Sequence, residues 1–184
     1  TVEGELVKSE FVEMGGQEVL ADKVEVTSTA EVYPIGPESN IDQRIDYRWL
    51  DLRQEKNHLL FKVQTLFTNA MREFLIDNDF IEIHSPKLIG TASESGSEVF
   101  KVKYFDTYAY LAQSPQFYKQ MMVGVYERVF EVGPVYRAEK HNTTRHLNEY
   151  TGIDFEMGFI DSFYDVMNVE AGALQYTFDL LKNE

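Results

Sequence analysis

Two alternating segments joined by a polar loop constrain this 184-residue chain more than any other feature. Residues 129–138 and 150–158 each alternate apolar and polar side chains with the period of two that strands have. The loop between them, residues 139–149, is basic, and its basic side chains are Lys140, His141, Arg145 and His146. We predict an antiparallel hairpin that holds a polar face rigidly beneath a basic loop.

The polar residues of this hairpin are of the types that bind ATP. Arg137 ends the first strand with a fork of donors suited to a phosphate, and Arg145 can reach another phosphate oxygen. Tyr150 offers a ring on which a base can stack, and Glu139 can accept from an exocyclic amine. Neither GxxxxGK[ST] nor GxGxxG occurs, so the usual glycine-rich phosphate cradles are absent. The alternative is a surface hairpin whose charged residues only face water.

The segment LAQSPQFYKQMM predicts a receptor for a carboxylate at the start of a helix. Ser114 is a suitable N-cap and Pro115 suits the first turn, so that Gln116 and Lys119 lie on one face. The lysine charge, the amide donor and the free N–H groups of a helix N-terminus all favour an anion. The alternative is a solvated surface lysine.

Other segments predict the framework around these residues. Apolar residues between Arg53 and Asn78 follow one helical stripe, and FIEIHSP reads as a strand that stops at Pro86. A Ser- and Gly-rich loop, LIGTASESGSEVF, surrounds Glu94 and can open and close, or is simply a solvated loop. A last helix begins after Asp161 or Ser162, and its predicted inward residues are Phe163, Val166, Met167, Leu174, Thr177 and Leu181.

The N-terminal part predicts a separate, β-rich unit. Residues 1–35 read as short strands around a turn at 14–17, and PIGPESN has the composition of a hinge. Beyond it, RIDYRWLDLRQ predicts a compact turn in which Trp49 and Leu50 are buried. An isolated hairpin packed on the main domain is the alternative for residues 1–35.

Composition excludes several classes of function. No apolar run of about 18 residues predicts a membrane span, and the charged start TVEGELVKSE is not typical of a signal peptide. Cysteine is absent, which excludes disulfides and thiolate metal sites, and an intracellular location is the default expectation. A net charge of −14 argues against non-specific attraction to nucleic acid, although the basic loop permits a local contact.

The segments YRAE (136–139) and TRHLNEY (144–150) resemble motif 2 of class II aminoacyl-tRNA synthetases, in the aspartyl form of archaea and eukaryotes. The long helix, short strand and terminal proline resemble motif 1, and LAQSPQFYKQ resembles the aspartate-recognition segment. The resemblance covers residues 47–160 almost without gaps. It implies an α+β fold: residues 47–184 form the first half of an antiparallel-sheet catalytic core. The same resemblance makes residues 1–35 the last strands of an OB-fold anticodon-binding domain and residues 36–46 a hinge.

The resemblance also implies roles for individual residues. Arg137 is the catalytic residue and binds the α-phosphate of ATP. The implied ATP-binding set is Arg137, Glu139, Arg145, His146, Leu147 and Tyr150. The implied aspartate-binding set is Glu94, Gln116, Lys119 and Asp154. The implied homodimer interface through motif 1 contains Phe80, Ile83 and Pro86. No residue of the chain is assigned to a metal.

The implied function is attachment of L-aspartate to tRNA through aspartyl-adenylate by a cytoplasmic enzyme that uses ATP and Mg²⁺. Motif 3 has no counterpart in this sequence, and the family draws its Mg²⁺ ligands from that region, so we expect the 184 residues alone to be inactive. Two alternatives stay open: an asparaginyl-tRNA synthetase, and a non-catalytic paralogue that acts as a dimerisation or RNA-binding module. The sequence leaves open whether asparagine tRNA is charged as well as aspartate tRNA.

Overall fold

The structure is a computed structural model that describes residues 1–13, 15–94, 98–141, 143 and 145–183. The chain divides into two compact units, Thr1–His58 and Leu59–Glu184. No helix within the described ranges is long and apolar enough to cross a bilayer. In chain order the elements are β1 (Val2–Lys8), β2 (Gln17–Val24), α1 (Ile41–Asp46), α2 (Arg48–Asp51), α3 (Glu55–Asp77), β3 (Ile81–Glu82), β4 (Leu88–Ile89), β5 (Lys101–Tyr104), β6 (Thr107–Leu111), α4 (Gln116–Tyr126), β7 (Arg128–Tyr136), β8 (Glu149–Met157) and α5 (Phe163–Lys182).

The first unit contains the predicted N-terminal hairpin and two short helices. Strands β1 and β2 pair antiparallel, and Gly15 and Gly16 both have positive φ angles in the turn between them. Met14, within the predicted turn, lies outside the described residues. Helix α1 begins with a capping box at Asn40. The assignment of residues 1–35 to an OB-fold and of 36–46 to a hinge stays a prediction.

The prediction that Trp49 is buried is wrong, because its side chain is 65% exposed in this structure. The buried residue of that segment is instead Asp51, which is fully covered and paired with two arginines. Leu50, which was also predicted to be buried, is half-buried. In this short helix the ion-paired carboxylate is therefore the fully covered side chain.

The second unit is built on the predicted hairpin. Strands β7 and β8 pair antiparallel with Glu131 opposite Asp154, and β3 joins β7 as a parallel neighbour. The core beneath this sheet centres on Leu75, Phe80 and Phe130. The strand predicted at FIEIHSP is β3, which is only two residues long. Directly after it, the N–H of Ile83 donates to the carbonyl of Phe130 at 2.8 Å.

A second sheet, with strand order β4-β6-β5, was not predicted from the sequence. Its β5–β6 hairpin turns through Phe105, which has a φ of 51°. Residues 112–115 connect β6 to α4, and the N–H of Tyr136 donates to the carbonyl of Ala112 in this segment at 2.9 Å. This sheet therefore places the segment before α4 beside the end of β7.

The helices follow the predictions with local corrections. Pro115, not Ser114, is the N-cap of α4, although the Ser114 hydroxyl accepts from the N–H of Gln116 at 3.2 Å. Ser162 forms a capping box at the start of α5, as one of the two predicted caps. Phe163 and Met167 are 63% and 51% exposed, so their predicted burial is wrong. The α5 residues that are buried are Ala173 and Thr177.

Candidate functional site

A cavity of about 160 Å³ opens between β7, β8 and the start of α4. Among the predicted site residues, Arg137, Tyr150 and Asp154 line it. The other side chains that shape its polar wall are Lys87, Gln113 and Glu131. The hairpin and the helix tip therefore share one hollow.

Arg137 is held in place through its backbone hydrogen bonds, and one donor of its side chain, Nε, has no hydrogen-bond partner within the described residues. Its N–H donates to the carbonyl of Asn148 at 2.9 Å. In the orientation that satisfies its hydrogen bonds, the Asn148 amide donates to the carbonyls of Arg137 and Glu139 at 3.0 and 2.9 Å. The Arg137 Nε is buried and has no hydrogen-bond partner within the described residues. A buried guanidinium donor without a partner is suited to an anionic ligand.

A second cavity, of about 410 Å³, lies over the outer end of the hairpin. It is lined by the six residues predicted to bind ATP, namely Arg137, Glu139, Arg145, His146, Leu147 and Tyr150. Arg137 and Tyr150 line both cavities, so the two hollows adjoin at these side chains. The arrangement offers two guanidinium groups and one aromatic ring to a single elongated ligand.

The basic loop is organised by short-range contacts. The His146 Nε2 lies 3.7 Å from Glu139 Oε2, and its Nδ1 lies 2.6 Å from the hydroxyl of Thr143. Lys140 forms an exposed ion pair with Glu98 at 3.0 Å. Asn142 and Thr144, which belong to the predicted loop, lie outside the described residues.

Lys119 sits in the first turn of α4 and is paired with two carboxylates. Its Nζ lies 2.6 Å from Asp154 Oδ1 and 3.1 Å from Glu156 Oε2. Burial alone lowers the pKa of Lys119, but hydrogen bonds and charge from Asp154 and Glu156 outweigh burial and raise that pKa above its ordinary value. An ammonium has three N–H donors, so one remains for a ligand. Because Asp154 lines the first cavity, this cluster lies at the edge of the hollow that holds Arg137.

Glu94 is tied to the segment that precedes α4. Its carboxylate accepts from the Ser114 hydroxyl at 2.7 Å, and its N–H donates to Gln113 Oε1 at 3.2 Å. Gln113 and Ser114 both line the first cavity. Because Glu94 contacts both residues, it lies in the layer next to the cavity lining. The predicted loop residues Ser95, Gly96 and Ser97 lie outside the described residues.

The remaining predicted residues are less directly placed. Within the described residues, Gln116 lines neither cavity. Phe80 and Ile83 are 2% and 8% exposed, so they have little surface for direct contact with a second subunit. Pro86 is exposed and available for contact. Their role in dimerisation stays a prediction.

Sequence reasoning missed an ion-paired network in the cavity wall. Glu131 is 4% exposed and accepts from the hydroxyl of Ser85 at 2.6 Å and from Lys87 Nζ at 2.9 Å. The only sequence signal was a glutamate at a strand position that should face the core or the cavity. Among the described residues, no group of three or more metal-ligating side chains could hold a metal ion.

The comparisons with known proteins agree with this architecture. Residues 40–184 match the family described as tRNA synthetases class II (D, K and N). The chain is 47% identical to the aspartate–tRNA(Asp/Asn) ligase of Methanopyrus kandleri, over 92% of this chain and 41% of that protein. The chain thus spans about two fifths of the length of the curated relatives it matches.

Two solved structures have the same fold. One is an asparaginyl-tRNA synthetase from Pyrococcus horikoshii complexed with asparaginyl-adenylate, with a TM-score of 0.82, 35% identity, and coverage of 99% of this chain and 43% of that one. The other is an aspartyl-tRNA synthetase from Entamoeba histolytica, with a TM-score of 0.67, 38% identity, and coverage of 87% and 29%. With a family match over most of its length and a site built on the motif 2 hairpin, the chain belongs to the class II aminoacyl-tRNA synthetases of the D, K and N group.

Proposed function

We propose that the full-length protein attaches L-aspartate to tRNA, using ATP to form aspartyl-adenylate. The observation that carries this proposal is the adjacency of two sites. The cluster of Lys119 with Asp154 borders the same cavity as Arg137, and Arg137 also lines the second cavity with the other predicted ATP-binding residues. An acidic amino acid and a nucleotide bound there would meet at Arg137.

In the amino-acid site, Lys119 would contact the side-chain carboxylate of aspartate with its third N–H donor. The cluster of one ammonium and two carboxylates carries a net negative charge, so it also favours the substrate ammonium. Asp154 is the cavity-lining member of the cluster and would accept from that ammonium. Glu94 and Gln116 are proposed to complete the site, Glu94 from the loop side and Gln116 from the first turn of α4.

In the nucleotide site, Arg137 would bind the α-phosphate and Arg145 the outer phosphates. Tyr150 would stack on adenine and Glu139 would accept from its amine, with His146 and Leu147 closing the cavity. A carboxylate oxygen of aspartate then attacks the α-phosphorus, and the bond to pyrophosphate breaks. Arg137 would catalyse this step by neutralising charge on the α-phosphate while both substrates are held in line.

In the second step, a ribose hydroxyl at the 3′ end of tRNA attacks the acyl carbonyl of the adenylate and AMP leaves. We propose that Mg²⁺ accompanies the ATP phosphates, and we assign no ligand for it among the described residues.

We further propose a cytoplasmic homodimer formed through motif 1. Residues 1–35 would then belong to an OB-fold anticodon-binding domain.

The second candidate is asparagine activation, which the similarity to an asparaginyl enzyme favours. Exchange of pyrophosphate into ATP by the full-length protein separates the candidates. Aspartate should support exchange at least about 100-fold better than asparagine, because a charged donor such as Lys119 discriminates strongly against a neutral amide. The reverse preference would establish the asparaginyl alternative, and exchange with neither amino acid would favour a non-catalytic paralogue.

A further inference from the structure

Gln113 is a residue of the first cavity wall, and its buried amide nitrogen has no hydrogen-bond partner within the described residues. The residue is 1% exposed and lines the cavity wall. Its Nε2 makes no hydrogen bond within the described residues. Buried amide donors are almost always paired, so this one calls for an acceptor that enters the cavity.

The direction of the amide is fixed by its surroundings. Gln113 Oε1 accepts from the N–H of Glu94 at 3.2 Å, so rotating the amide by half a turn would set a donor against a donor. The hydroxyl of Ser93 accepts from the N–H groups of Gln113 and Ser114 at 3.2 and 3.3 Å. These contacts with Ser93 and Glu94 therefore fix the orientation of the Gln113 amide.

The other polar groups of the cavity indicate the chemistry of the missing partner. Lys87 donates to Glu131 and Ser85, at 2.9 and 3.0 Å, and so adds a positive charge to the cavity wall. Arg137 also lines this cavity, and its buried Nε has no partner within the described residues. Unpaired buried donors are suited to a ligand that presents acceptor oxygens; in the proposed function the α-phosphate is the acceptor for Arg137, which leaves a carboxylate for Gln113.

We infer that Gln113 donates from Nε2 to a carboxylate oxygen of the amino-acid substrate. Through Oε1 the same amide accepts from the N–H of Glu94, so occupancy of the cavity is coupled to the position of Glu94. This inference rests on the proposed function, because it takes the cavity ligand to be an amino acid.

The test is pyrophosphate exchange by the full-length protein with two variants and one control. Gln113→Glu is nearly isosteric and keeps an acceptor for Glu94, but it replaces the donor with a charged oxygen. Gln113→Met removes both functions. In both, KM for aspartate should rise about tenfold or more, the loss expected for a hydrogen bond to a charged group. The rise should be larger for Gln113→Glu, while KM for ATP stays within about twofold.

Thr177 provides the matched control. Its hydroxyl is also buried without a partner among the described residues, but it lines neither cavity. Thr177→Val should leave both KM values unchanged. If Gln113→Glu keeps the wild-type KM for aspartate, or raises KM for ATP alone, the inference is overturned. A wild-type protein without aspartate-dependent exchange would instead refute the proposed function.

A second measurement tests the coupling to Glu94. Aspartate should slow hydrogen exchange of the Glu94 amide in the wild-type protein, because the ligand immobilises the Gln113 side chain that accepts from it. In Gln113→Met the same amide should exchange at a rate that aspartate leaves unchanged. Equal slowing in both proteins would show that Gln113 does not link the ligand to Glu94.

Discussion

The ammonium of Lys119 lies 2.6 Å from the carboxylate of Asp154, across 35 residues of sequence. One residue belongs to the first turn of α4 and the other to the middle of β8. The Lys119 side chain is 11% exposed and the Asp154 side chain is 32% exposed, so the contact is partly shielded from water. The pairing orients both groups at the cavity edge and leaves one N–H donor of Lys119 for a ligand.

Replacing Lys119 with methionine should abolish aspartate-dependent pyrophosphate exchange in the full-length protein. Two effects combine: the substrate carboxylate loses its cation, and Asp154 and Glu156 are left as adjacent unpaired charges. Truncating one partner of a hydrogen-bonded charge pair between protein and ligand costs about 2–5 kcal/mol of binding free energy, so kcat/KM should fall at least about 30-fold. Lys182→Met is the control, because its pair with Asp179 is exposed and should matter little. Retention of exchange by Lys119→Met would contradict the proposed assignment.

Replacing Arg137 with lysine should not restore function, although the charge is kept. A lysine is a point charge and cannot reproduce the planar fork of a guanidinium whose Nε is buried in the cavity wall. We expect kcat for exchange to fall at least about 100-fold, since a transition-state donor of this kind contributes about 2.7–4 kcal/mol. Arg53→Lys, an exposed arginine on the N-terminal side of α3, is the matched control. Equal kcat values for wild type and Arg137→Lys would remove Arg137 from the catalytic step.

The elements with strong periodicity could be predicted closely from the sequence. The hairpin predicted at 129–138 and 150–158 occurs at Arg128–Tyr136 and Glu149–Met157. The apolar stripe likewise located α3 to within two residues at each end. In β7 the buried residues include Val129 and Phe130, so the local pattern carries the information. In α3 only Ala70 and Leu75 are buried, so the stripe located the helix although much of the stripe is exposed.

What the sequence could not supply depends on distant contacts. The β5–β6 hairpin was missed because all four residues of β5 are exposed, which leaves little contrast between its faces. The pair of Lys87 and Glu131 joins residues 44 apart in sequence, and no local pattern predicts it. Trp49 was wrongly predicted to be buried because apolar character does not specify which surface, if any, covers a side chain.

The acid stability of the first unit should depend on Asp51. Its carboxylate is fully buried, lies 2.7 Å from Arg44 Nε and also contacts Arg48. The hydrogen bond and charge of Arg44 lower the pKa of Asp51, and the hydrogen bond and charge of Arg48 lower it further. Burial raises the same pKa, but by less, so the pKa of Asp51 lies below its ordinary value. A lowered pKa gives stability that is present above the unfolded-state pKa and is lost as the pH falls through the folded-state pKa.

Asp51→Asn should therefore be less stable than wild type at neutral pH, and the gap should narrow as the pH falls below about 4. Denaturant unfolding of the full-length protein from pH 7 to pH 3 measures this difference. Asp46→Asn, at an exposed position in the same unit, should cost little at any pH. A gap between Asp51→Asn and wild type that stays constant down to pH 3 would contradict the ion-pair explanation.

Two helical glycines should respond to alanine in opposite directions. A Cβ added at Gly172 in α5 would lie 2.8 Å from the ring of Phe74 on α3, whereas one added at Gly124 in α4 meets nothing within 4 Å. Gly172→Ala requires the Phe74 ring to shift from its place against α5 and should destabilise the full-length protein by about 1 kcal/mol. Gly124→Ala gains only helix propensity and should stabilise by about 0.5–1 kcal/mol. Thermal unfolding of both variants tests the packing of α5 on α3, because a stabilising Gly172→Ala would mean that Phe74 is free to move away.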